Sequence, residues 1–196
     1  MNKSFLKEFI DYTNEIFPSI DMSVKESVKE ALEQFDINKF NWFTNNNLEG
    51  ISQGDILDKI PFHVQDNSGN YKAYPTKAII LSNSCDLVRD TFITMAPLIH
   101  YSEEEKFSKS QELDLKNNKY NGKMCFTGSD IEEYYIDFTR AQSFNRKIIL
   151  ELIEKGKINI EYSLSQFAWY FLLTKLTIHY MRVEDHKLFS CRTAGA

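Results

Sequence analysis

The segment Ser84-Cys85-Asp86 combines more reactive groups than any other in this chain, because a thiol lies between a hydroxyl and a carboxylate. It follows an apolar run that ends near Asn83, and loops at strand ends often present functional side chains from a rigid scaffold. As a nucleophile, Cys85 needs a nearby base or cation to form its thiolate. The candidates by residue type are His63, His100 and Arg89.

Two other interpretations of the same segment remain open. In one, Asn83 and Ser84 donate hydrogen bonds to a phosphate or a base. In the other, Cys85 is a small buried residue and Asp86 caps the following turn through its side chain.

His63 lies between Phe62 and Val64, just before the polar segment 65–70. The alternation of apolar and polar residues predicts an exposed strand side chain at this position. The functional alternative is an imidazole that transfers protons. His100 is predicted to be a strand-end histidine with satisfied hydrogen bonds.

Four side chains near the C-terminus are spaced at i, i+4, i+7 and i+11: Lys175, His179, Arg182 and His186. On a continuous helix they share one face, from which Lys175 and Arg182 could contact phosphates. The alternative is the solvated edge of an amphipathic helix, because two acidic residues follow Val183 directly.

Composition excludes several classes of protein. The chain has 196 residues and a formal net charge of −5, so it is not a basic nucleic-acid-binding domain by composition. Residues 1–50, 51–144 and 145–196 have net charges of −4, −4 and +3, so only the last quarter is positive. An aromatic content of 14% argues against a disordered chain.

Three scattered cysteines form neither a disulfide framework nor a paired metal clamp, which predicts a cytoplasmic, reducing compartment. The longest apolar run, 167–173, is far shorter than the roughly 20 residues of a membrane-spanning helix. The N-terminus lacks the pattern of a signal peptide. No phosphate-binding loop or Cys–His metal spacing is found in the sequence, so we expect no cofactor and no metal.

Helical periodicity predicts two helices within residues 5–35, which Pro18 separates and of which the second opens with a capping box of Ser23 and Glu26. Residues 51–144 instead contain short β-branched or aromatic runs between polar turns, which predict a small antiparallel sheet or barrel. These runs are 56–64, 78–81, 92–99, 123–126 and 134–138.

Three more helices are expected in the second half of the chain. A short charged helix is predicted over 102–111. A helix over 146–155 should end at Gly156. The last is predicted from Ser163 to about Val183, with Ser163 and Gln166 as its capping box.

Four stretches in the middle of the chain resemble motifs of the MazF/PemK-like toxin family, in the right order. Residues 53–56 are similar to the opening RGEI/RGDI strand, and residues 77–83 to RPVVVLSN. Residues 90–99 are similar to DTVIVAPIT, and residues 136–144 to VDLSQIRTV, which a helix follows. The resemblance covers about residues 51–155.

The resemblance implies an α+β fold in which a small SH3-like antiparallel β-barrel, residues 51–144, is flanked by helices. An N-terminal extension of residues 1–50 and C-terminal helices over 145–196 would pack on it as one compact unit. Family members commonly cleave single-stranded RNA without a metal. Their substrate groove is bordered by a loop that often bears a functional histidine.

Several matching positions differ from the family's nuclease residues. Asp137 occupies the position where an arginine often acts as the acid. Gln142 and Ser143 replace a later Arg-Thr pair, while Arg140 lies nearby in sequence. Lys77 replaces an arginine, which keeps the charge but loses the bidentate fork.

Three functions are therefore expected. The first is a divergent MazF/PemK-like protein that binds or cleaves single-stranded RNA, in a toxin–antitoxin or phage-defence setting. The second is a catalytically inactive barrel that binds another protein, an antitoxin or further copies of itself in a larger assembly. The third is a cysteine-dependent enzyme that uses Cys85. No membrane partner is expected.

Overall fold

The computed structural model describes residues 41–45, 50–66, 68–103 and 107–181. This part of the chain has an α+β fold that is built on one mostly antiparallel sheet. Its strands are β1 (Asp55–Gln65), β2 (Tyr71–Ile80), β3 (Phe92–His100), β4 (Lys123–Cys125), β5 (Tyr134–Asp137), β6 (Gln142–Asn145) and β7 (Ile160–Ser163).

Four α-helices and two 3₁₀ turns connect or cover these strands in the described part of the chain. The helices are α1 (Asp86–Arg89), α2 (Lys109–Lys116), α3 (Arg146–Glu154) and α4 (Gln166–Met181). The 3₁₀ turns are Tyr101–Glu103 and Phe138–Arg140. Within these described residues, no helix is both long enough and apolar enough to span a membrane.

β3 organises the sheet because it pairs with three other strands. Its first residues, Phe92 to Met95, pair with β6, and its last residues, Leu98 to His100, pair with β5. β5 in turn pairs with β4. The middle of β3 pairs with β2, β2 pairs with β1, and β1 pairs with β7. The expected α+β class is confirmed, whereas the sheet is open rather than closed into a barrel.

The centre of the sheet is buried on both faces, since neighbouring strand residues, which point to opposite sides, belong to two different cores. Ile79 belongs to a core that includes Ala168 and Leu172 of α4. The next residue, Ile80, belongs to a second core that includes Ile149 of α3. The C-terminal helices therefore cover the sheet from two sides.

The five predicted strands are confirmed, with shifted ends, but β6 and β7 were not predicted. The predicted helix over 102–111 is wrong in position, since a 3₁₀ turn occupies Tyr101–Glu103 and α2 begins at Lys109. Ser108 and Gln111 form a complete capping box at α2. The Ser108 hydroxyl accepts from the Gln111 N–H, and the Gln111 side chain accepts from the Ser108 N–H. These two bonds determine where α2 begins better than nearby acidic residues do.

The helix over 146–155 is confirmed as α3, and Gly156 follows it with a φ of 65°. The proposed capping box of the last helix is wrong, because Ser163 belongs to β7. The hydroxyl of Ser165 accepts from the Ala168 N–H instead. The two predicted N-terminal helices and their capping box lie outside the described residues, as does most of the predicted extension 1–50.

Replacing either Ile79 or Ile80 by alanine is expected to lower the free energy of unfolding by about 2–5 kcal/mol. Both side chains are fully buried, on opposite faces of the sheet. Val64→Ala is the control, because Val64 is 40% exposed. Chemical denaturation measures all three, and tolerance of either isoleucine substitution would contradict a sheet that is covered on both faces.

Candidate functional site

β6 and β1 approach each other at the open seam of the sheet, where a side chain takes the place of a strand. The His63 N–H donates to Gln142 Oε1 at 3.1 Å, and Gln142 Nε2 donates to the His63 carbonyl at 2.6 Å. A single amide thus satisfies both backbone groups of one strand residue. Phe144 and Phe62 pack edge to face below it, with ring centres 5.1 Å apart.

Four of the predicted site residues lie at the seam or next to it in sequence, and we call His63, Arg140, Gln142 and Ser143 the seam surface. His63, Arg140 and Ser143 are exposed, and Gln142 is half-buried. Ser143 faces Thr94 on β3, with their hydroxyl oxygens 3.5 Å apart. The prediction that His63 is an exposed strand side chain is confirmed.

Asp137, at the end of β5, is buried and holds the turn that leads into β6. Its carboxylate accepts from the Thr139 N–H at 3.0 Å and from the Thr139 hydroxyl at 2.6 Å. Lys123 Nζ lies 2.7 Å from the same carboxylate, and Arg140 Nε lies 3.5 Å from it.

Burial raises the pKa of Asp137, but the hydrogen bonds from Lys123 and Thr139 outweigh it, so the pKa lies below its ordinary value. The Asp137 carboxylate is therefore ionised at neutral pH. It stabilises the turn, and it cannot supply the proton that the family's arginine would give to a leaving group.

The segment 83–86 is an exposed turn at the start of α1. Asn83 Oδ1 accepts from the Cys85 N–H at 2.9 Å, and Arg89 pairs with Asp86 at 2.9 Å. Cys85 is exposed, so the interpretation as a buried cysteine is wrong. The expected cap by Asp86 is wrong: the Asn83 side chain closes the turn by accepting from the Cys85 N–H, whereas the Asp86 carboxylate accepts from Arg89.

Ser84 is fixed by Gln53, which precedes β1. The Gln53 N–H donates to Ser84 Oγ at 3.0 Å, and Gln53 Nε2 donates to the Leu81 carbonyl at 2.7 Å. Trp169 Nε1 completes the network by donating to Gln53 Oε1 at 3.1 Å. The turn is thereby attached to both β1 and α4.

No hydrogen bond among the described residues reaches the Cys85 sulfur. Arg89 Nε donates to the carbonyl of Cys85 instead, at 3.2 Å. His100, one of the three predicted activating groups, contacts Ser102 and Glu133 through its ring nitrogens. The prediction that it is a satisfied strand-end histidine is confirmed.

Two predicted phosphate contacts are already engaged within the fold. Lys77 forms an ion pair with Glu161 of β7. Lys175 is 1% exposed, and its ammonium donates to the carbonyls of Asn118 at 3.0 Å and Tyr120 at 2.5 Å. This position does not fit a solvent-facing phosphate contact.

Burial lowers the pKa of Lys175 to about 8, an effect that nearby Cys125 partly offsets. Burial in turn raises the pKa of the Cys125 thiol to about 11. Lys175, the first residue of the helix face predicted from spacing, therefore lies in the core. Arg182 and His186, which were predicted to share this face, lie outside the described residues.

Sequence reasoning missed Lys123 and Gln53, which position the candidate residues. Lys123 lies opposite Asp137 in the pairing of β4 with β5. Opposite charges on facing strand residues would have signalled this pair, but only once the register was known. Gln53 lies within the family-like stretch 53–56, and its Trp169 partner is 116 residues away.

An open cavity of about 590 Å³ lies beside β7, between the segment 41–45 and the turn 128–130. None of the predicted site residues lines it. Within the described residues, no three His, Cys, Asp or Glu side chains are grouped closely enough to hold a metal ion. No family model matches the sequence, and no curated protein matches it.

Lys175→Met is expected to change how stability depends on pH. The folded pKa of Lys175 is about 8 and the ordinary value is 10.5, so the unfolded chain binds more protons between these values. The stability that Lys175 contributes is therefore lost as pH falls through about 8 and recovers as pH rises. Between about pH 7 and about pH 9.5, wild type should gain about 2 kcal/mol relative to the variant.

Urea denaturation of both proteins at several pH values measures this difference. Lys119→Met is the control, because Lys119 forms an exposed pair with Asp114. Parallel pH profiles for wild type and Lys175→Met would contradict a buried ammonium at position 175.

Proposed function

We propose that this chain is a divergent MazF/PemK-like protein that binds single-stranded RNA at the seam surface. The observation that supports it best is the pair of hydrogen bonds between the Gln142 amide and the His63 backbone. These bonds bring together two segments that the family resemblance assigns to one groove. The proposed setting is a toxin–antitoxin or phage-defence system in the cytoplasm, with an antitoxin as protein partner.

In this proposal the sheet is an open form of the SH3-like barrel. The long hairpin of β1 and β2, the central β3, and the 3₁₀ turn that joins β5 to β6 support this proposal. Gln142 spans the gap that backbone pairing would close in a complete barrel. Two packed aromatic rings, Phe62 and Phe144, fill the space below the gap.

The chemistry of the seam surface suits a nucleic acid strand better than an apolar ligand. Arg140 provides a guanidinium whose side chain is 43% exposed, although Asp137 lies beside it. Guanidinium groups bind phosphate in a fixed fork, and Ser143 and His63 add polar groups that can contact bases or sugars. The acidic charge of the whole chain opposes this binding at long range, so we expect modest affinity that falls with added salt.

Cleavage would require a base for the 2′-hydroxyl, an acid for the leaving oxygen and a cation beside the phosphate. Arg140 supplies the cation, and His63 is the imidazole of the seam surface. Asp137 is ionised and paired with Lys123, so it does not act as the acid. We therefore propose RNA binding as the principal activity. Metal-independent cleavage would need an acid other than Asp137.

Purified wild type, Arg140→Ala and His63→Ala are to be titrated against a fluorescently labelled single-stranded RNA in the presence of chelator. Wild type should bind, and Arg140→Ala should weaken binding by about tenfold and flatten its dependence on salt. His63→Ala should weaken binding less, and it should abolish any cleavage.

Lys119→Ala is the matched control, because it also removes an exposed, ion-paired cation but lies outside the seam surface. It should leave affinity unchanged. Equal losses in Arg140→Ala and Lys119→Ala, or no salt-dependent binding by wild type, would refute the proposal.

A second function, a protein-interaction module without catalysis, is favoured by exposed apolar side chains near the start of α3. Val88 is 73% exposed, Phe92 58% and Ile148 57%. Arg146 joins the segments on which they lie, since its side chain donates to the Leu87 carbonyl and its N–H to the Thr91 carbonyl. Wild type that fails to bind RNA but self-associates in sedimentation, and loses this association in Phe92→Ser, would support the module over the RNA-binding protein.

A further inference from the structure

His100, at the end of β3, lies between a hydroxyl and a carboxylate. Its Nδ1 is 2.7 Å from Ser102 Oγ, and its Nε2 is 3.1 Å from Glu133 Oε2. A nucleophile, a base and a group that orients the base are thus in hydrogen-bond contact, in the order on which serine-dependent acyl transfer relies.

The hydrogen bonds also define the tautomer of His100. The Ser102 backbone N–H donates to Nδ1 at 3.2 Å, and a backbone N–H can only donate. Nδ1 therefore presents a lone pair to Ser102. Nε2 carries the proton, and this N–H donates a hydrogen bond to the Glu133 carboxylate. The Ser102 N–H and hydroxyl share the Nδ1 lone pair, and the hydroxyl, whose proton a base would remove, is the nearer of the two at 2.7 Å.

The fold holds this arrangement from three directions. The 3₁₀ turn Tyr101–Glu103 brings the Ser102 hydroxyl back to the ring of His100. The Tyr101 N–H donates to the Glu133 carbonyl at 3.0 Å, which fixes the backbone of Glu133 beside the turn. The ring of Tyr134 packs edge to face on the imidazole, with ring centres 5.0 Å apart.

We propose that Ser102, His100 and Glu133 form a nucleophilic serine site that accepts acyl groups from small activated esters. This site is independent of the seam surface. Ser102 is exposed, and the side chain of Glu133 is 73% exposed, so the site is open rather than a deep pocket.

In the first step, Ser102 Oγ forms a bond to the acyl carbon and His100 Nδ1 takes the hydroxyl proton. The carbon–oxygen bond to the leaving alcohol breaks, and the alcohol departs with that proton. In the second step, water attacks the acyl-serine, His100 Nδ1 takes a proton from the water, and the acid leaves as Ser102 recovers its hydrogen. Glu133 keeps the imidazole oriented and stabilises its positive charge in both steps.

Labelling with a fluorophosphonate tests the proposal. The probe phosphonylates an activated serine, with loss of fluoride, and peptide mass spectrometry locates the adduct. Wild type should be labelled at Ser102, and Ser102→Ala should not be labelled. His100→Gln should slow labelling by about 100-fold, the lower end of the effect of a positioned base. Glu133→Gln should slow it less.

Ser68→Ala is the matched control, because Ser68 is an exposed turn serine whose N–H donates to Asp66. It should label as wild type does, and circular dichroism should show that all variants are folded. Labelling of wild type at other residues only, no labelling at all, or the same rate at Ser102 in His100→Gln would each overturn the proposal. Acetylation of Ser102 by p-nitrophenyl acetate, lost in Ser102→Ala, should accompany the labelling, and its absence would refute the acyl specificity.

Discussion

The pairing of β3 with three strands is the constraint on which the rest of the structure depends. Its first residues bind β6 and its last residues bind β5, so the 3₁₀ turn between β5 and β6 must lie beside this strand. Asp137 holds that turn, and β6 emerges from it toward β1. The seam surface and the His100 site lie near opposite ends of the same strand.

Two amide side chains complete the sheet where no strand is available. Gln142 binds the N–H and the carbonyl of His63, and Asn118 does the same for Cys125 at the outer edge of β4. A free strand edge exposes unpaired backbone groups, which are costly when buried and prone to association when exposed. Asn118 adopts a φ of 56° to make its contacts, a conformation that Asn tolerates better than most residues.

The predicted strands share β-branched or aromatic residues, and local composition was enough to find them. β6, with the sequence QSFN, and β7, with IEYS, are only four residues long, too short for local composition to mark them as strands. They form because β3 and β1 provide partners that are distant in sequence. Local patterns cannot contain such partners.

The same limit explains the outcome for the site residues. Exposure of His63 follows from alternation, which is a local property. The burial of Lys175 depends on the carbonyls of Asn118 and Tyr120, which are more than 50 residues away in sequence. Helical spacing does not contain this information, and a charged residue on a helix was therefore predicted to face solvent. The pairing of Asp137 with Lys123 likewise became visible only with the register of β4 on β5.

We propose that the seam between β1 and β6 is a surface for nucleic acid. Photo-crosslinking with single-stranded RNA that contains thiouridine, followed by peptide mapping, tests it most directly. We expect crosslinks only in the segments around His63 and residues 139–143, and fewer of them in Arg140→Ala and with added salt. Crosslinks elsewhere on the chain, with none at the seam, would contradict it.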